Sequence, residues 1–165
     1  MVNHISWELD RHEIAPDRLA IEVLETVVAQ SPGDTVTRNI NALARLGCLI
    51  DLDDFGTGHA SLSSLRRLAV GRLKIDRSFV TGIDGDRDQQ RMVSAILSMS
   101  ERLGLESLAE GVETAEEHAM LAQLGCGHVQ GFGIGHPMPA ADMPAWAARH
   151  GNRLAQLPGI ARTAG

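Results

Sequence analysis

Cys48-Leu49-Ile50-Asp51-Leu52-Asp53-Asp54-Phe55-Gly56-Thr57-Gly58 is the stretch whose reading decides the fold. A short apolar run, Cys48–Leu52, ends in two adjacent carboxylates and then in glycines that let the chain turn. Ahead of it, Asp34–Leu46 carries Val36, Ile40, Leu43 and Ala44 on one stripe at helical spacing, and Gly47 stands where a left-handed residue closes a helix. Helix, glycine, strand and acid-bearing turn make one unit, and the chain repeats that unit. Further apolar runs are Leu19–Leu24, Arg72–Ile75, Ser107–Ala109 and His128–Phe132. Helical stretches are predicted at about His4–Arg11, Ser61–Leu68, Asp88–Leu103, Ala115–Leu124 and Ala141–His150. Gly104 and Gly125 close two of them, and Thr114 followed three residues on by Glu117 reads as a capping box. Strands alternating with helices imply parallel strands joined by right-handed crossovers. The expectation is an α/β protein with about five parallel strands and outer helices, an open sheet or part of a (β/α) barrel.

The chemistry gathers where the strands end. Glu22 and Glu25 close the first run, Asp53 and Asp54 the second, Lys74 and Asp76 the third, Glu110 and Glu113 the fourth, and Gln130 the fifth. One acid at a strand end is commonly a helix cap or a solvated loop residue. Five consecutive ends bearing cation-binding or proton-handling groups point to a site at the C-terminal rim. Period-2 geometry places Ala20, Glu22 and Leu24 on one face, opposite Leu19, Ile21 and Val23, and puts Lys74 and Asp76 on one face opposite Leu73 and Ile75. An inward carboxylate is costly unless it is paired, protonated or bound to a cation. Metal ligation is the economical answer, and an ion pair with Lys74 is the plain one. Asp53 and Asp54, being neighbours, reach a common site only if the strand turns there.

Composition narrows the classes. Of 165 residues, 44% are hydrophobic and 22% charged, which is ordinary for a globular domain long enough to bury a core. Three Phe, two Trp and no Tyr leave the core to aliphatic residues. A net charge of -6 gives no footprint for a nucleic-acid polymer. Cys48 and Cys126 have no metal or redox spacing and read as buried, reduced thiols of a cytoplasmic chain. No run reaches the ~18 apolar residues of a membrane span, and no signal peptide opens the sequence. Seven histidines form no metal-binding pattern. Asp54-Phe55-Gly56 matches a kinase triplet without its glycine-rich loop or catalytic-loop context, and Gly56-Thr57-Gly58 is too short for a dinucleotide fingerprint.

These same residues carry a resemblance. Leu19-Ala20-Ile21-Glu22-Val23-Leu24-Glu25, Leu52-Asp53-Asp54-Phe55-Gly56-Thr57-Gly58, Leu73-Lys74-Ile75-Asp76-Arg77-Ser78-Phe79-Val80, Ala109-Glu110-Gly111-Val112-Glu113-Thr114, and Val129-Gln130-Gly131-Phe132 with Pro137-Met138-Pro139 follow, in order, the motifs of the EAL-domain phosphodiesterases. The resemblance spans Pro16 to His150. It implies a TIM-like barrel that opens cyclic di-GMP to linear pGpG with two divalent cations, Mg²⁺ or Mn²⁺. Glu22, Asp53 and Asp54 would be metal ligands. Lys74 would orient or activate the attacking water, Asp76 would hold Lys74, Glu110 would act near the water or second metal, and Gln130 would bond a metal-bound water. Glu113 would line the pocket, and Glu25 would steady the loop carrying Gly56, Thr57 and Gly58. Oxygen ligands without histidine or thiolate suit these cations.

The departures set further expectations. The strand with the Glu-Ala-Leu signature and the next, with a ligand asparagine, are absent, and neither Trp7-Glu8-Leu9 nor Asn3 replaces them. The chain thus reads as a single, N-terminally truncated EAL-type domain over residues 1–165, with about five of the eight barrel strands. Two open sheet edges imply a homodimer, a strand-swapped oligomer or marginal stability. A sensory or GGDEF domain is expected upstream in the parent protein. His59 and His136 replace the usual Tyr and basic residue. Asp51 should face the barrel interior and pair with Lys74. The readings carried forward are a phosphodiesterase domain whose fragment is inactive alone and a degenerate module that binds cyclic di-GMP or a protein. An enolase-type site also sets a lysine and carboxylates on barrel strand ends, but has no room here for its capping domain.

Overall fold

The structure, a computed structural model, describes residues 1–30, 35–56 and 68–155. They fall into two compact units, Met1–Ile134 and Gly135–Gly165. The first contains α1 (Val2–Arg11), β1 (Ala20–Leu24), α2 (Glu25–Gln30), α3 (Thr35–Leu46) and β2 (Leu49–Phe55). It continues through β3 (Arg72–Ile75), a short 3-10 helix at Arg77–Phe79, α4 (Arg87–Leu103), β4 (Glu106–Ala109), α5 (Ala115–Leu124) and β5 (His128–Val129).

The five strands form one parallel sheet in the order β1-β2-β3-β4-β5. Spatial order equal to chain order means that every right-handed crossover turns the same way and lays its helix on the same face. That is the construction of a barrel wall; a doubly wound sheet would reverse direction partway. The fold is a partial TIM-like (β/α) barrel, one of the two arrangements that the alternation of strand and helix leaves open and the one that the resemblance implies.

Burial follows the period-2 pattern. On β3, Leu73 and Ile75 have no exposed surface and pack in one aliphatic cluster with Val93, Leu97, Ala109, Val112 and Leu121, from α4, β4, the loop after β4 and α5. Lys74, between them in sequence, points the other way. A second cluster of Leu9, Val23, Ile40, Leu43, Cys48 and Ile50 seats α1 and α3 on β1 and β2. Each such side chain contributes about 1.5–3 kcal/mol on burial.

Helix ends obey the expected signals. Asp86 caps α4 by accepting the Asp88 and Gln89 N–H groups, and Thr114 with Glu117 forms the capping box of α5. Two elements differ from expectation. Residues 25–30, with no strong apolar period, form a helix that begins at Glu25. The fifth strand is two residues long rather than five, because Gly131 leaves the ladder with φ +154 and its backbone presses on Val112. A β-carbon there would sit 2.2 Å from the Val112 carbonyl oxygen. The expected Ser61–Leu68 helix lies, apart from Leu68, outside the described residues.

The second unit carries a 3-10 turn at Ala140–Asp142 and α6 (Met143–Ala155), where the rings of Trp146 and His150 stack at 4.9 Å. No helix among the described residues is long and apolar enough to cross a membrane.

Candidate active site

Lys74 is the centre of the site. It is the sole lysine of the chain, every other cationic side chain being an arginine, and it is 3% exposed. Its Nζ lies 2.7 Å from Glu22 Oε1 on β1, 2.9 Å from Asp53 Oδ1 on β2 and 2.8 Å from Glu110 Oε1 just past β4. Four strand ends therefore converge on one ammonium group. Burial alone would lower the Lys74 pKa, but hydrogen bonds to Glu110, Glu22 and Asp53 outweigh it and hold the group above its ordinary value. Lys74 stays charged.

The paired aspartates converge through a bulge. In the register of β2 on β3, Leu52 faces Leu73 and Phe55 faces Ile75, so Asp53 and Asp54 together span the place opposite Lys74. Asp54 is left-handed, with φ +57, and its N–H is held by its neighbour's Asp53 Oδ1 at 3.1 Å. A regular strand would send the two side chains to opposite faces; the bulge brings them to one. Oxygens of Asp53, Asp54 and Glu110, all half-buried, lie within 4.8 Å of one another.

The crowding has electrostatic consequences. Burial, then the Asp53 and Asp76 charges, push the Asp54 carboxyl above its usual range. Burial raises Glu110 as well, although Lys74 pulls it back. Three carboxylates share one ammonium and Asp54 lies beside two of them, so the arrangement favours additional positive charge. Oxygen-only donors at this spacing suit a hard divalent cation.

The remaining expected residues that the structure describes stand on the turns and loops that follow the strands. Glu25, 3% exposed, accepts the Gly56 N–H at 3.1 Å and so fastens the turn after Asp54; Thr57 and Gly58 lie outside the described residues. Asp76 caps the 3-10 helix by accepting the Ser78 N–H at 3.0 Å, which holds its carboxyl below the usual range despite burial. The described ion pairs of Lys74 go to the other three acids. Glu113 and Gln130 are exposed on neighbouring loops, joined through backbone: Gln130 O accepts the Val112 N–H at 3.0 Å.

Asp51 corrects an expectation. It is buried and inward, but its partner is Arg72 rather than Lys74. Arg72 stands directly opposite in the register, while Lys74 lies further along the strand among its own carboxylates. Asp51 Oδ1 and Arg72 Nε have no hydrogen-bond partner among the described residues. Sequence reasoning passed over Arg72, yet Arg72-Leu73-Lys74-Ile75 alternates cation and aliphatic, which puts both cations on the interior face. Glu110, expected near the water or a second metal, shares the aspartates' cluster.

Comparison with known proteins identifies the family and the fold. The family described as EAL domain matches residues 1–137. MucR of Pseudomonas aeruginosa, a bifunctional diguanylate cyclase/cyclic di-GMP phosphodiesterase, is 40% identical over 148 residues, 90% of this chain and 22% of that protein. The solved MucR phosphodiesterase in complex with c-di-GMP is 40% identical with a TM-score of 0.78, covering 86% of this chain and 57% of that one. BlrP1 of Klebsiella pneumoniae, solved with manganese and cyclic di-GMP, is 33% identical with a TM-score of 0.71, covering 80% of this chain and 34% of that one. The chain spans about a fifth of the length of the curated relatives it matches.

Proposed function

The chain belongs to the EAL domain family, and on that premise we propose that it carries the rim of a cyclic di-GMP phosphodiesterase site, which opens the cyclic dinucleotide to linear pGpG. The observation that carries this reading is the Lys74 ammonium enclosed by Glu22, Asp53 and Glu110, with Asp54 drawn into the same cluster by a left-handed turn.

Asp53, Asp54 and Glu110 would hold a divalent cation, with Glu22 serving a second; Mg²⁺ and Mn²⁺ match the donor set. Bound there, such cations supply charge neutralisation at the phosphate and acidify a water. The chain's own groups do the rest. Lys74 keeps its proton, so it acts as a hydrogen-bond donor that orients the attacking water and faces the developing negative charge. Asp53 and Glu110 hold that ammonium in place. Glu110, half-buried against the ammonium, is placed to take the water's proton as the new P–O bond forms, and the departing sugar oxygen takes a proton from solvent. Asp76, by fixing the turn after β3, keeps Lys74 at its station. Gln130 would bond a water at the rim, and Glu113 would line the pocket. Glu25 would keep Gly56 in place after Asp54.

A second reading has its own support. Glu22 is 52% exposed on β1, an edge strand among the described residues, so the cluster is open on that side. We therefore read the five strands as needing further strands for turnover; without them the chain binds cyclic di-GMP or a partner and does not cleave it. A cytoplasmic setting, a homodimer or strand-swapped oligomer, and a sensory or GGDEF domain upstream belong to this reading. The test is pGpG release from cyclic di-GMP with Mn²⁺ or Mg²⁺ and with chelator, for this chain and for Lys74→Met. Metal-dependent release lost in the variant supports hydrolysis; cyclic di-GMP binding without release supports the second reading.

A further inference from the structure

Glu117 is a buried acid that the mechanism above leaves unused. Its capping-box role is legible from Thr114 three residues earlier: Thr114 Oγ1 accepts the Glu117 N–H at 3.1 Å, and Glu117 Oε2 accepts the Thr114 N–H at 3.1 Å. A cap needs nothing more. Yet Oε2 also accepts the Glu113 N–H at 2.8 Å, and Oε1 accepts the N–H of Gly82, distant in sequence, at 2.9 Å. The residue is 4% exposed. One carboxylate thus joins two loops that leave neighbouring strands.

We propose that Glu117 is a positioning residue of the active site, tying the segment after β3 to the loop after β4. The first segment leaves the strand that bears Lys74 and begins with Asp76, and the second carries Glu110 with Glu113. Their close seating is visible nearby: a β-carbon on Gly111, which has φ +70, would lie 2.6 Å from Arg77 Cβ, so the Gly111 backbone sits close against Arg77 with no room for a side chain. Between that contact and the Glu117 carboxylate, the Glu110 loop is fixed at both ends relative to the strand bearing Lys74. A carboxylate suits the post because three N–H donors converge on it and it has only acceptors to offer. The 2.8 Å Lys74–Glu110 pair then depends on a side chain that touches neither residue.

The proposal rests on reading the Lys74 cluster as the active site, but its test does not require turnover. With ¹⁵N-lysine labelling the chain gives one ammonium signal, from Lys74. In Glu117→Ala, exchange of the Gly82 and Glu113 amides and of the Lys74 ammonium protons should quicken by about tenfold or more. Thr114→Ala weakens the same helix cap without cutting the Gly82 tie, and should leave the Gly82 and Lys74 signals within about twofold of the parent. Should the alanine variant not fold, Glu117→Gln carries the comparison, since an amide keeps one acceptor and must release either Gly82 or the Glu113–Thr114 pair. An unchanged Lys74 signal, or equal changes in the Glu117 and Thr114 variants, would overturn the proposal. Where the parent protein hydrolyses cyclic di-GMP, Glu117→Ala should lower kcat about tenfold or more with little change in KM. A parent without turnover refutes the hydrolytic reading alone, because the exchange data still decide the role of Glu117.

Discussion

A buried ammonium among carboxylates holds only while its charge is present. Lys74→Met leaves Glu22, Asp53 and Glu110 facing one another, and should destabilise the chain by about 3–5 kcal/mol in chelator. If the same acids accept a divalent cation, much of that loss should return in Mn²⁺, which urea unfolding in the two media would measure. An equal loss in both would argue against a cation at these acids. Asp54 adds a separate test. Its left-handed backbone costs about 1–2 kcal/mol for an ordinary residue, less for aspartate. Asp54→Gly should therefore leave stability within about 1 kcal/mol of the parent while weakening Mn²⁺ binding at least tenfold, read by calorimetric titration. Glu117 gives the pH dependence. Burial alone would raise its carboxyl, but the Gly82, Glu113 and Thr114 N–H groups hold it below its ordinary range. A depressed folded-state value contributes stability above the unfolded pKa of about 4.3 and loses it as pH falls through the lower folded one. The stability gap between the parent and Glu117→Gln should be level above about pH 5 and close on acidification below about pH 4. A gap that widened with acid would contradict that sign.

At the scale of elements, the sheet was legible because its strands obey one rule, and the site because its acids follow those strands. Leu73 and Ile75 bracket Lys74, so period 2 alone separates the core face from the chemical face. The α5 helix could be read to the residue, since Thr114, Glu117 and Gly125 mark its ends. What could not be read was set by contacts between distant segments. The shortness of β5 comes from Gly131 meeting Val112, and no local pattern announces that meeting. The Asp53–Asp54 bulge was expected as a turn, but its register depends on β3. Asp51 was matched to Lys74 because sequence gives the face and not the level along the strand; register gives it to Arg72. That buried pair makes its own prediction. Arg72→Met alone should cost about 3–5 kcal/mol by stranding Asp51, whereas Arg72→Met with Asp51→Leu should be close to neutral or stabilising. Denaturant melts of the single and double variants decide it, and a double variant as weak as the single would show that the pair itself stabilises the sheet.

For the whole molecule, β1 and β5 end the sheet among the described residues, and an edge strand is open to pairing with a further strand. The chain should therefore self-associate at micromolar concentration or unfold at low urea, as light scattering and melts would report. A monomer of high stability would mean that other residues cover those edges. The sheet's ordering has one more consequence. Because each strand pairs with the strand made just before it, assembly can keep pace with synthesis, every newcomer finding its template already laid. Growth of such a wall is additive: material joined at either rim lengthens it without disturbing pairings inside, much as bricks are added to a course. A gene encoding this architecture can gain or shed whole β/α steps at its margins while the interior masonry stays as it was.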